Sequence, residues 1–114
     1  MADDLRITAA ELRQRIEAGE HFTIIDTRNP QAWADAADMA RGAIRFREDD
    51  VNEILPRIPP NDPVITYCTG PNEASSASLA QQLRDRGFHA WALKDGFGAW
   101  KRAGLGVERK TKAA

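Results

Sequence analysis

One cysteine, two histidines and no long apolar run say much about what this 114-residue chain is not. A single cysteine excludes an internal disulfide and any multi-cysteine zinc site, and it suits a reducing compartment. His21 and His89 have no second ligand at a useful spacing, so no metal site is expected. No apolar run approaches the roughly 18 residues of a membrane span. An excess of one charge is missing too, since 16 basic and 17 acidic side chains leave a formal net charge of −1. That balance gives no support to nucleic acid or a membrane surface as partner. The start, Met1-Ala2-Asp3-Asp4, lacks the basic-then-apolar order of a secretion signal. Together these absences predict a small, soluble, cytoplasmic domain, with no cofactor expected.

What is present alternates between apolar strand-like runs and helix-like segments. Thr8-Ala9-Ala10-Glu11 has the spacing of a capping box, and Gly19 is placed to stop the helix it opens. Phe22 to Thr27, Val64 to Tyr67 and Phe88 to Leu93 read as strands. Helices are expected from Gln31 to about Met39, from Val51 to Ile58, from Glu73 to Arg86 and from Phe97 to Ala103. The alternation predicts one α/β domain over residues 1–114, with a small, mostly parallel sheet flanked by helices on both faces. Residues 5–104 form its expected core, and the basic stretch 105–114 is expected to be a flexible tail.

Cys68 ends the run Val64-Ile65-Thr66-Tyr67, and the turn-forming residues Thr69-Gly70-Pro71-Asn72 then lead into a helix. In open parallel sheets, binding sites gather at the carboxyl ends of strands. The first amides of a helix are unpaired donors carrying partial positive charge. A thiol at that junction suits nucleophilic chemistry through one sulfur, held by loop amides. The competing reading is a small buried side chain that only packs.

At these residues the sequence resembles the rhodanese-like domains, over nearly its whole length. Asp26-Thr27-Arg28 is similar to the family's Asp-x-Arg segment, and Gly42-Ala43 resembles its Gly-Ala turn. Tyr67-Cys68 with its tight loop resembles the active-site loop, and Gly87-Phe88 precedes a strand as it does there. Asp95-Gly96-Phe97-Gly98-Ala99-Trp100 is similar to the closing Gly-Gly-x-x-Ala-Trp segment. The resemblance implies a rhodanese-like fold and transfer of sulfane sulfur from a small anionic donor, thiosulfate or a persulfide, to a thiophilic acceptor. Cyanide or a protein thiol would serve as that acceptor, through a persulfide on Cys68. It also implies that Thr69, Gly70, Pro71, Asn72, Glu73 and Ala74 surround the substrate, and Arg28, which follows a strand, is a further candidate to face the pocket.

The loop departs from the family pattern. Pro71 has no amide hydrogen, so one donor is lost, and Glu73 places a negative charge where an anionic donor arrives. This Cys-x-x-Pro-Asn-Glu-Ala-Ser form resembles a variant found in rhodanese domains associated with DedA-like membrane proteins, which implies docking to a membrane protein. Those departures keep a second reading open, a rhodanese-fold module that binds a protein partner with little turnover. Cysteine phosphatases and arsenate reductases need an arginine in a Cys-(x)5-Arg pattern, and Ala74 stands at that place. Arg28 is expected to form an ion pair with Asp26 or Asp35. Arg41, Arg45 and Arg47 are expected to form a solvated face balanced by Glu48, Asp49 and Asp50.

Overall fold

Four β-branched or aromatic residues, Val64-Ile65-Thr66-Tyr67, form the centre of the sheet in the computed structural model, which describes residues 5–47, 50–69 and 74–110. We number this strand β5, in chain order. Its neighbours are β2 (Thr23–Asp26) on one side and β6 (Ala90–Leu93) on the other, both parallel to it. Short strands β1 (Arg6–Ile7) and β4 (Ile44–Arg45) close the edges, giving the order β1-β6-β5-β2-β4. Every pair in this five-stranded sheet is parallel, as the strand–helix alternation predicts.

Side chains alternate across the strands, so the core lies in two layers. Ile25 and Val64 face one layer with Val51, Ile54, Leu79 and Leu83. These come from α3 (Val51–Ile54) and α4 (Ala74–Asp85). Ile24, Ile65 and Tyr67 face the other with Leu12, Phe97 and Trp100, from α1 (Ala9–Glu17) and α5 (Gly96–Arg102). Helices therefore cover both faces. Leu12 and Leu83 have no solvent exposure, and each such side chain contributes about 1.5–3 kcal/mol by leaving water. The capping box at α1 forms as expected, with Thr8 Oγ1 accepting from the Glu11 amide at 3.0 Å and Glu11 Oε1 accepting from the Thr8 amide at 3.1 Å.

Three expectations need correction. The helix after Pro30 is short, with α2 spanning Pro30–Asp35, and Met39 lies instead in strand β3 (Asp38–Ala40). Met39 and Ala40 are buried and pair with a partner strand, which outweighs the helix propensity of the alanines. The segment after Val51 divides into α3 and a 3-10 turn at Leu55–Arg57, because Pro56 cannot donate the next helical bond.

The third correction concerns the carboxyl-terminal stretch, which is no frayed tail as far as residue 110. Strand β7 (Val107–Arg109) pairs antiparallel with β3, and Gly106 O accepts from Trp100 Nε1 at 2.8 Å. Lys110 Nζ also donates to Trp33 O. Strand β7 escaped sequence reasoning because its pairing runs through backbone, which composition does not report. A chain ending at Leu105 loses the β3 partner and leaves a buried indole N–H unpaired. Its urea midpoint is expected to fall by the equivalent of about 2 kcal/mol, and an unchanged midpoint would refute this role.

Candidate active site

The site begins with register. Asp26 ends β2 directly opposite Tyr67, the last residue of β5. Both side chains therefore point to the α5 face, and the Tyr67 hydroxyl donates to Asp26 Oδ2 at 2.7 Å. Arg28 folds back on the same carboxylate, its Nη2 donating to Oδ2 at 2.7 Å and its backbone amide to Oδ1 at 2.9 Å. The Asp26 and Arg28 side chains are 0% and 3% exposed. This settles the choice of partner for Arg28 in favour of Asp26 over Asp35. The guanidinium is also stacked, 4.6 Å from the Phe97 ring centroid and 5.3 Å from that of Trp33.

Arg45 joins this network rather than a solvated face, in contrast to the sequence expectation. Its Nη1 lies 3.6 Å from Asp26 Oδ1 and donates to Arg28 O at 2.6 Å. The β2–β4 register, with Asp26 opposite Arg45, brings it there. The Tyr67 hydroxyl in turn accepts from the Ala40 amide at 3.0 Å. Burial, followed by the nearby Asp26 charge, pushes the phenol far above its ordinary range, so it stays a neutral donor to Asp26.

Continuing the alternation by one residue turns Cys68 to the opposite face, toward α4. Its thiol is buried, and the Ser76 hydroxyl donates to Sγ at 3.5 Å. Ser76, in the first turn of α4, is itself fully buried. In sequence Ser76 falls in the first turn of the helix expected from Glu73 to Arg86, a position that by itself marks no contact with the thiol. The available signal was the spacing of Ser76, eight residues beyond the cysteine, which brings the first helical turn back over the strand end. Thr66 Oγ1 donates to Ser76 O at 2.8 Å and locks that turn onto β5.

The Cys68 carbonyl accepts from the Phe97 amide at 2.9 Å, which ties the strand end to α5. Backbone can approach this closely because Gly96, with φ of +65°, has no side chain there. A Cβ built on Gly96 would sit 2.5 Å from Cys68 O. Thr69 is exposed and lines a cleft of about 420 Å³ with Arg28, Phe97, Gly98, Lys101, Asp35, Ala32 and Ala36. Ala74 is exposed at the first residue of α4. The expected binding residues Gly70, Pro71, Asn72 and Glu73 lie outside the described residues. The geometry therefore brings together Cys68, Thr69, Arg28 and the start of α4 around one strand end.

A parallel sheet with its lone thiol at the carboxyl end of the central strand, beside a helix start, defines a cysteine-centred α/β domain. The chain belongs to the rhodanese-like domain family, whose pattern matches residues 8–103. It is 31% identical over 102 residues to an HTH-type transcriptional regulator of Mycobacterium tuberculosis, covering 90% of this chain and 44% of the regulator. It is 29% identical over 90 residues to the thiosulfate sulfurtransferase GlpE of Actinobacillus pleuropneumoniae, covering 78% of this chain and 80% of that protein. The solution structure of a rhodanese-like domain from Anabaena superposes with a TM-score of 0.73 at 28% identity, covering 98% of this chain and 87% of the other. The chain thus spans less than half the length of the mycobacterial regulator. Among the described residues, no helix is long and apolar enough to cross a membrane, and no cluster of potential metal ligands occurs.

Proposed function

We propose that this domain is a sulfurtransferase whose nucleophile is Cys68. The observation that carries the reading is the buried Cys68 sulfur at the end of β5, with the Ser76 hydroxyl donating to it from the first turn of α4. A hydroxyl and a helix start both favour negative charge on sulfur. Membership of a family that includes a thiosulfate sulfurtransferase supports the same chemistry.

In the first step the Cys68 thiolate attacks the outer sulfur of thiosulfate. An S–S bond forms to Cys68, the S–S bond of the donor breaks, and sulfite leaves with the electron pair. In the second step a nucleophile such as cyanide attacks the outer sulfur of the persulfide. Thiocyanate forms, and Cys68 departs as thiolate. The two steps balance without an external oxidant or reductant. The Asp26–Arg28–Tyr67 network serves as the rigid base on which the strand end is held.

Incubation with thiosulfate should add one sulfur atom to the intact mass, and cyanide should then yield thiocyanate. Cys68→Ser should abolish both. Wild-type protein that neither gains sulfur nor exceeds the variant in thiocyanate would exclude the proposal. The mycobacterial relative favours a second reading, in which the domain serves a regulatory protein and its persulfide is a signal rather than a turnover intermediate. That reading requires stable sulfur uptake at Cys68 with thiocyanate formation near the uncatalysed rate.

A further inference from the structure

Beyond the carboxyl end of β4 lies a concave space of about 350 Å³, lined by Arg45, Phe46, Arg47, Glu53, Ile54 and Arg57. Strand ends of this kind are where open parallel sheets gather their ligands. Arg45 is the last residue of β4, Arg47 follows two residues later, and Arg57 comes from the 3-10 turn after α3. Phe46 and Ile54 are buried and pack the base of the pocket into the core.

The charges around this pocket do not balance. Arg47, Arg57 and Glu53 are exposed, and none forms an ion pair among the described residues. Asp50, expected from sequence to offset the arginines, is used by α3 instead: its Oδ1 accepts from the Asn52 amide at 2.9 Å. Glu48 and Asp49 lie outside the described residues. Asp26 lies 3.6 Å from Arg45 Nη1, but its carboxylate is already matched by Arg28 at 2.7 Å. Three guanidinium charges therefore stand against the one carboxylate of Glu53, a local excess of two in a chain whose formal net charge is −1.

One of the three cations is fixed in advance. Arg45 Nη1 donates to Arg28 O at 2.6 Å and to Asp26 O at 3.3 Å, and its guanidinium lies 4.6 Å from the Trp33 ring centroid. A cation already held in place loses little freedom when a ligand arrives. Arginine also suits oxyanions better than lysine, because its planar fork can bind two oxygens at once. A small concave site with one sign of charge in excess concentrates the opposite charge.

We propose that this pocket is a binding site, separate from the thiol, for a small dianion of the phosphate class, free or as a monoester. The excess of two charges matches a dianion, while the net negative charge of the whole chain disfavours a long polyanion. The site does not depend on sulfur chemistry at Cys68.

Titration of the wild-type protein at constant ionic strength compares inorganic phosphate, glycerol phosphate and acetate, at slightly alkaline pH where phosphate is mostly dianionic. Both phosphates should bind saturably at about millimolar concentration, the range open to a few solvated ion pairs. NMR shifts should centre on Arg47 and Arg57. Tighter binding of glycerol phosphate assigns the site to esters, and tighter binding of inorganic phosphate assigns it to the free ion. Arg47→Gln and Arg57→Gln should each weaken binding by about threefold to fivefold, and Glu53→Gln should tighten it by a similar factor. All three positions are exposed, so folding is spared. Lys101→Gln removes a cation outside the pocket and should change nothing. The inference is overturned by absence of saturable binding, by equal binding of acetate, by shifts centred on Thr69 and Ala74, or by equal weakening in Lys101→Gln.

Discussion

Replacement of Asp26 by asparagine is expected to destabilise the domain by about 3–5 kcal/mol, the cost of leaving a buried charge without its partner. Arg28 is 3% exposed, so water cannot take the place of the lost carboxylate. Asparagine offers one carbonyl acceptor to a site that serves the Arg28 guanidinium, the Arg28 amide and the Tyr67 hydroxyl. Arg45 Nη1, 3.6 Å from the same carboxylate, loses its attraction to that oxygen as well.

The loss is large against the roughly 5–15 kcal/mol by which domains of this size are stable. Urea denaturation of wild type and Asp26→Asn measures it, and a difference below about 1 kcal/mol would sink the argument, since exposed pairs are worth only that much. Adding Arg28→Met to the variant should recover part of the loss, because the uncompensated charge is then gone.

The second large effect is expected at Gly96. Gly96→Ala should cost stability and also slow the chemistry of Cys68 by at least about tenfold, since small displacements of a reacting group are amplified in rate. Two causes combine. The φ of +65° is a conformation that L-residues adopt at a cost of about 1–2 kcal/mol. The new methyl would also meet Cys68 O at 2.5 Å and Thr69 O at 2.9 Å, and backbone cannot swing aside as a flexible side chain does.

Gly42→Ala separates the causes. Gly42 has φ of +75°, yet a Cβ there meets nothing within 4 Å. It should lose stability alone and leave the rate of Cys68 alkylation and of persulfide formation near wild type. Similar alkylation rates for both variants would show that the contact with the Cys68 carbonyl does not position the thiol.

Much of this site was visible in the chain before folding was considered. The apolar run ending at Cys68, the turn residues beyond it and the helix that follows all rest on local propensities, which act within a few residues. The Asp26–Arg28 ion pair was also within reach, because residues two apart at a strand end can fold onto each other. Arg45 was not. It sits 19 residues from Asp26 in sequence, and only the β2–β4 register places the two side by side. The contact of Ser76 with Cys68 is not legible in the chain for a related reason: its hydroxyl matters through the packing of α4 on β5, whereas its neighbourhood in sequence looks like any helix start.

By itself, then, the sequence determined the alternation of the main strands and helices, the parallel α/β class and the place of Cys68 at a strand end, because periodicity and turn chemistry are local properties. The tertiary structure decided which charges meet Asp26, that residues 107–109 form a strand rather than a tail, and that Lys101 and Asp35 share a cleft with Thr69. Those outcomes depend on register and on contacts between segments far apart in the chain. The one stretch that local chemistry marked most clearly, Cys68 and its flanks, is held in place by the most distant of these contacts: Phe97, Gly96 and the buried Asp26 network.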